Sequence, residues 1–101
     1  MKHFALIYDV VENFAERRLP VREAHLVHLH EAHAGGLLQF SGPFGDPPDG
    51  ALLILRADSA AQVEAFARAD LYVIHGLVTA WRARPWNILI APEPAGPPPA
   101  L

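Results

Sequence analysis

The order of apolar and amphipathic segments along this chain is the feature that most constrains its fold. Four runs have the apolar content and length of strands: residues 3–8, 37–41, 51–56 and a last strand within 77–90. Two stretches show helical spacing: residues 20–35 and 59–70. The order strand, helix, strand, strand, helix, strand predicts an α+β protein. We expect the ferredoxin-like βαββαβ plan, an antiparallel sheet with two helices on one face.

Turn and capping residues set the predicted boundaries. Pro20 suits the first position of a helix, since the N–H that it lacks would have no partner there. The polar residues 13–19 before it are a short helical turn or a loop, and the Gly- and Pro-rich residues 42–50 are a loop. Ser59 with Gln62 forms the pattern of a capping box at the second helix. In the last strand, Pro85 predicts a division into two pieces, because proline cannot donate to a sheet.

Length and composition narrow the class of protein. With 101 residues we expect one domain over residues 1–91, followed by a proline-rich flexible tail at 92–101. A domain of this size buries only about 60–65% of its unfolded surface, so we expect a homo-oligomer. Cysteine is absent, which excludes disulfides and thiolate sites. The net charge of −3, with no basic run, argues against nucleic acid as a partner. No membrane partner is expected, and the default location is cytoplasmic.

His25 is the first candidate functional residue. It lies on the same helical stripe as three apolar residues of the first long helix: Val21, Leu29 and Ala32. Because that stripe faces the core, the imidazole is expected to point inward. The alternative is a core histidine that is bound to a backbone carbonyl.

Asp70 is the second candidate, because it continues the apolar stripe of the second helix: Val63, Phe66 and Ala67. An unpaired buried carboxylate is costly, so an inward Asp70 requires a donor or a cation, and His25 is the obvious one. The alternative is a helix-end residue that faces solvent or caps the next turn. The βαββαβ topology places the start of the first helix and the end of the second at the same edge of the molecule, which favours the pair.

The same edge collects further polar and turn residues, which we predict to bind a small-molecule substrate: Tyr8, Arg22, Ser41, Gly42, Pro43 and His75. A histidine oriented by a carboxylate is a competent general base. Tyr8 or Ser41 would donate to a substrate oxygen, and Gly42 would leave space for a close ligand. Ser41 as a nucleophile activated by His25 is the weaker alternative, since no strained elbow or oxyanion hole is indicated.

Four histidines lie close together on the first helix: His25, His28, His30 and His33. Ligands three or four residues apart share a helical face, so all four cannot bind one metal. His25 and His28 with a carboxylate, either Asp70 or Asp46, would be a plausible zinc set, but no HExxH pattern is present. We expect no metal and no cofactor, and we expect His30 and His33 to face solvent.

Five short motifs, in this order and spacing, resemble the YCII-related (YciI-like) family: Arg22-Glu23-Ala24-His25-Leu26, Ser41-Gly42-Pro43, Asp70-Leu71-Tyr72, Gly76-Leu77 and Arg84-Pro85-Trp86-Asn87. The resemblance covers residues 1–91. It implies a dimeric α+β barrel that associates through its sheet, with a cleft whose catalytic His and Asp are His25 and Asp70 here. One departure is Leu71, where the family usually has proline.

Some relatives in that family are dehydrochlorinase-like enzymes that act on hydroxylated aromatic compounds. Together with the residues, the resemblance predicts a cofactor-independent enzyme that abstracts a proton and then eliminates or isomerises a small cyclic substrate. The alternative function is a binding or interaction module that holds a small molecule in the same cleft without converting it.

Overall fold

The structure is a computed structural model that describes residues 1–92. Its elements follow in chain order: β1 (Lys2–Val10), α1 (Phe14–Arg17), α2 (Leu19–Ala34), β2 (Leu38–Phe44), β3 (Gly50–Ala57), α3 (Ala60–Ala69), α4 (Leu71–Ile74) and β4 (Val78–Pro85). The four strands form one antiparallel sheet in the order β2-β3-β1-β4. The βαββαβ prediction is therefore confirmed. The tail predicted at 92–101 lies outside the described residues from 93 onward.

One face of the sheet carries the core. Alternate residues of β1, Phe4, Leu6 and Tyr8, are buried, and Leu6 pairs with Leu53 of β3. On this face α3 packs against β1, β3 and β4, and α2 packs against β2 and α4. Of the 16 residues of α2, His25 is the one buried residue. The long helix therefore covers the edge of the sheet only partly, and a pocket lies beneath it.

Two predicted strand boundaries were wrong. β2 continues through Phe44, into the predicted loop, because Gly42 and Pro43 pair with β3. Pro43 is tolerated there since β2 is an edge strand, where a missing N–H leaves no neighbour unbonded. β4 is one strand rather than two, because Pro85 stands at its last position, where the ladder ends in any case.

The short helical turn, one of the two alternatives predicted for the polar segment before Pro20, is present as α1, whereas α2 begins at Leu19, one residue earlier than predicted. The capping box is not formed: the Ser59 side chain makes no capping hydrogen bond, and Gln62 Oε1 instead accepts from the N–H of Asp58 at 2.7 Å. None of the helices between residues 1 and 92 has the length and apolar content that crossing a bilayer requires. The cytoplasmic location stays a prediction.

Candidate functional site

Asp70 lies at the joint between α3 and α4. Its backbone is extended, with φ −67° and ψ 127°, so Asp70 lies beyond the end of α3. The sequence had predicted instead that Asp70 continues the apolar stripe of that helix. This turn in the chain directs the carboxylate inward, where it is fully buried. Asp70 also caps α4, because its Oδ1 accepts the N–H of Tyr72 at 2.9 Å. The capping alternative and the inward pairing are thus both realised by one side chain.

Three donors surround the Asp70 carboxylate. His25 Nδ1 lies 2.8 Å from Oδ1, and the Tyr8 hydroxyl donates to Oδ2 at 2.7 Å; the Tyr72 N–H completes the set. Burial alone would raise the pKa of Asp70, but the hydrogen bond and charge of His25, with the bonds from Tyr8 and Tyr72, lower the pKa below its usual value. The carboxylate is therefore ionised at neutral pH. Burial and the neighbouring Asp70 charge raise the pKa of Tyr8, which stays a neutral donor.

The two nitrogens of the His25 ring have different surroundings. The plane of the ring stacks on Tyr72, with ring centroids 3.6 Å apart and an interplanar angle of 9°. Because ionised Asp70 can only accept, Nδ1 keeps its proton in both the charged and the neutral imidazole, and in the neutral form Nε2 carries the lone pair. Within residues 1–92, Nε2 has no hydrogen-bond partner, and His25 lines the pocket. The predicted contact between His25 and Asp70 is therefore present, and it leaves the second nitrogen free.

The pocket lies between α2 and the edge strand β2 and has a volume of about 380 Å³. Its walls include leucine side chains of α2, β2 and β3, and its polar residues include five basic ones: Arg18, Arg22, His25, His30 and His33. No Asp or Glu of residues 1–92 is among the lining residues. The site is thus a largely apolar pocket whose lining carries the charges of Arg18 and Arg22, in a chain whose net charge is −3.

The structure brings most of the predicted substrate-binding residues to this pocket: Tyr8, Arg22, Ser41, Gly42 and Pro43 all line it. His75 does not; it is exposed at the end of α4, because that helix turns it away from the cleft. His30 and His33 are exposed as expected, although both also border the pocket. His33 Nδ1 donates to the Leu38 carbonyl at 2.7 Å.

The metal alternative finds no support in the geometry. In the part of the chain that the structure describes, no three potential ligand side chains come together. His28 stacks on Phe66, with centroids 5.0 Å apart, and does not line the pocket beside His25. Asp46 borders a different depression, next to the loop that follows β1.

Two residues that line the pocket were not among the residues predicted for the site: Arg18, and Tyr72, which belongs to one of the motifs of the family resemblance. A signal for Arg18 was available, because it lies four residues before Arg22 and residues at that spacing share a helical face. The predicted helix began at Pro20, which left Arg18 outside it. The stacking of Tyr72 on His25 had no comparable signal, since it depends on the short helix α4.

The YCII-related domain model matches residues 1–87. The chain belongs to this family. Among curated proteins, none matches this YCII-related domain. Among solved structures, it is similar to the 5-chloro-2-hydroxyhydroquinone dehydrochlorinase TftG from Burkholderia phenoliruptrix AC1100, in complex with 2,5-dihydroxybenzoquinone, with 25% identity and a TM-score of 0.72. The match covers 84% of this chain and 93% of that chain.

Proposed function

We propose that this YCII-related domain is a small, cofactor-independent enzyme that uses His25 and Asp70 for general acid–base chemistry on a hydroxylated cyclic compound. The reaction class is proton abstraction followed by elimination or isomerisation. One observation carries the proposal: a buried histidine has one ring nitrogen bound to an ionised aspartate, and it presents the other, which has no hydrogen-bond partner among residues 1–92, to a pocket of about 380 Å³. That arrangement is typical of a general base.

The proposed elimination balances in protons and in electrons. His25 Nε2 takes a proton from a substrate O–H or C–H bond. The electron pair of that bond moves into the ring system, and the leaving group departs as an anion with its own bonding pair. The substrate loses one proton and one anion, so no oxidant or reductant is required. Asp70 stabilises the imidazolium that forms, because it places a negative charge 2.8 Å from Nδ1.

The shape of the pocket supports a small cyclic substrate. Its volume exceeds that of a single substituted ring, and its leucine walls suit an apolar ring face. Ser41 and Pro43 of β2 pair with Leu53 and Ala51 on the core face of the sheet, and both line this pocket. The Ser41 hydroxyl lines the same wall and is placed to donate to a substrate oxygen. The similar dehydrochlorinase suggests chlorinated hydroquinones as the first compounds to test.

A non-catalytic binding module is the second candidate function. One observation favours it: both oxygens of Asp70 are already bound to protein donors and are sealed from the pocket. In that case the pair would serve only to hold α2 against α4. The free Nε2 of His25 favours the catalytic function over the binding function.

Association through the open face of the sheet is part of the proposal. Phe40 and Phe44 of β2 are 66% and 45% exposed, and Ile7 and Leu52 lie on the same face of the neighbouring strands. Apolar side chains on an uncovered sheet face are typical of an interface. Sedimentation analysis is expected to give a mass of twice 11.0 kDa; a monomer at micromolar concentration would contradict the homodimer.

The proposed enzymatic activity is tested by measuring chloride release from chlorinated hydroquinones with the wild type and with His25→Gln. We expect kcat to fall about 100- to 10,000-fold in the variant. The matched control is His28→Gln, one turn further along α2 and outside the pocket, which is expected to keep the wild-type rate. Equal turnover by wild type and His25→Gln would exclude His25 from the mechanism. Ligand binding with no turnover of any compound would favour the binding module.

A further inference from the structure

Two arginines lie side by side where the pocket approaches the start of α2. Arg18 and Arg22 both line it, and their spacing of four residues places them on one face of the chain. The guanidinium carbon of Arg18 is 5.5 Å from the centroid of the Phe14 ring, a contact that holds this half-buried side chain against an apolar wall. Its Nε is buried and has no hydrogen-bond partner within residues 1–92. The hydrogen-bonding capacity of the Arg18 guanidinium is therefore not used up within these residues, which is unusual for a buried donor.

The Tyr72 hydroxyl belongs to the same corner of the pocket. Its ring stacks on His25 and receives Phe14 edge-on, with centroids 5.3 Å apart. Burial raises the pKa of Tyr72, while the charges of Arg18 and Arg22 lower it, so both cations act on this hydroxyl. Within the described residues the hydroxyl makes no hydrogen bond. Three donors therefore converge on one corner without an acceptor.

The protein does not neutralise this corner. In residues 1–92 the one ion pair joins His25 to Asp70, so neither arginine has a carboxylate within 4 Å. Asp70 lies behind the His25 and Tyr72 rings, fully buried and bound to its own donors. A guanidinium pair without a counter-ion, beside a free hydroxyl, is suited to an anionic oxygen, because hydrogen bonds to a charged acceptor are about twice as strong as neutral ones.

We propose that Arg18, Arg22 and the Tyr72 hydroxyl form an anion subsite, and that the substrate is an anionic ring compound, a phenolate or deprotonated hydroxyquinone, whose charged oxygen binds there. This assignment rests on the proposed function for the reaction. It specifies in addition that the substrate is an anion. Because Tyr72 stacks on His25, an oxygen bound at this corner brings the substrate ring towards Nε2. Arg18 and Arg22 then determine specificity, and His25 performs the chemistry.

The test compares two probes of similar shape by equilibrium dialysis at neutral pH: 2,5-dihydroxybenzoquinone, which is ionised, and 2,5-dimethyl-1,4-benzoquinone, which is neutral. We expect the wild type to bind the anion at least about tenfold more tightly. Arg18→Gln and Arg22→Gln are each expected to weaken binding of the anion about 10- to 100-fold and to leave binding of the neutral probe unchanged. The control is Arg17→Gln, since Arg17 is exposed on α1 and does not line the pocket.

Equal binding of the two probes by the wild type, including binding of neither, would overturn the subsite; so would a loss in Arg17→Gln as large as that in Arg18→Gln. Arg18 also packs on Phe14, so thermal melts accompany each variant. If Arg18→Gln fails to fold, the exposed Arg22→Gln and the charge-preserving Arg18→Lys decide the outcome. Chloride release that requires His25 without any preference for the anion overturns the subsite alone. Anion preference without turnover contradicts the proposed reaction alone.

Discussion

Replacement of Asp70 provides the sharpest test of how the site is held together. Its carboxylate accepts three hydrogen bonds in a fully buried position. Asp70→Ala removes all three acceptor contacts. Asp70→Asn keeps the shape: the amide oxygen still accepts from Tyr72 and His25, and the amide N–H₂ meets the Tyr8 hydroxyl, which rotates to accept. The two variants thus separate the loss of charge from the loss of hydrogen bonds.

The magnitude follows from counting those contacts. A hydrogen bond to a charged group contributes about 1.5–3 kcal/mol, so three bonds set a ceiling of about 4.5–9 kcal/mol for Asp70→Ala. Water from the adjacent pocket can reach the His25 and Tyr8 donors, which reduces the expected loss in the free energy of unfolding to about 3–5 kcal/mol. For Asp70→Asn we expect about 1–2 kcal/mol, since only the charge is removed. In a domain of this size, 3 kcal/mol lowers Tm by about 12–24 °C.

The pH dependence gives a second, independent signature. The pKa of Asp70 is lower in the folded protein than the value of about 3.9 in an unfolded chain. The unfolded chain therefore binds the proton first as the pH falls. The stability that the ionised carboxylate contributes is complete above about pH 5 and is lost as the pH falls through the folded-state pKa. Asp70→Asn carries no such group, so its disadvantage relative to the wild type shrinks over that range.

Urea unfolding followed by far-UV circular dichroism, at intervals between pH 3 and pH 7, measures both signatures. Asp9→Asn is the control, because Asp9 is an exposed carboxylate on β1; its curve is expected to follow the wild type. If wild type and Asp70→Asn lose stability in parallel below pH 5, His25 and Tyr8 do not hold Asp70 ionised. A loss below about 1 kcal/mol for Asp70→Ala would refute the three-donor account.

Three further predictions concern the surroundings of the site and the core. Tyr8→Phe removes the donor to Asp70 Oδ2, so we expect a loss of about 1–2 kcal/mol by urea unfolding and a higher pH for the acid transition. Leu55→Ala in the core is expected to cost about 2–5 kcal/mol, while Leu89→Ala, at a position 58% exposed, stays within about 0.5 kcal/mol; equal midpoints in urea would contradict the placement of the core. Gly45→Ala is expected to lower Tm, because φ is +78° and a Cβ would lie 3.1 Å from a backbone carbonyl oxygen; an unchanged Tm would show that the loop adapts.

Much of the candidate pair was readable from the chain. His25 stands at an apolar position of a long helical pattern, and the structure confirms that it is buried. Asp70 was found by a pattern that does not hold in detail, because α3 ends one residue earlier. Its inward direction comes from the extended joint before α4, which the sequence offered only as a break in the periodicity. The contact was predicted correctly, although the local reason for the Asp70 half was different.

Two residues of the pocket owe their place to packing and were not among the residues predicted for the site. Arg18 connects α1 to α2, and this position makes it part of the pocket. The Phe14 ring then packs against its guanidinium group. Tyr72 reaches His25 because α4 packs against α2, two elements about 45 residues apart in the chain. The prediction that His75 lines the cleft was wrong for the same reason, since the short helix α4 carries His75 away from the cleft. Local spacing contains no information about contacts over such separations.

By itself, the sequence determined the element order, the strand topology class and the inward position of His25, because hydrophobic periodicity acts over one or two turns and burial enforces it. The tertiary structure alone decided which nitrogen of His25 is free, that Tyr8 and Tyr72 join His25 in stabilising the ionised Asp70, and that Arg18 lines the pocket beside Arg22. Those properties depend on angles at the joint of α3 and α4 and on the gap between α2 and β2, which are fixed by packing among distant residues.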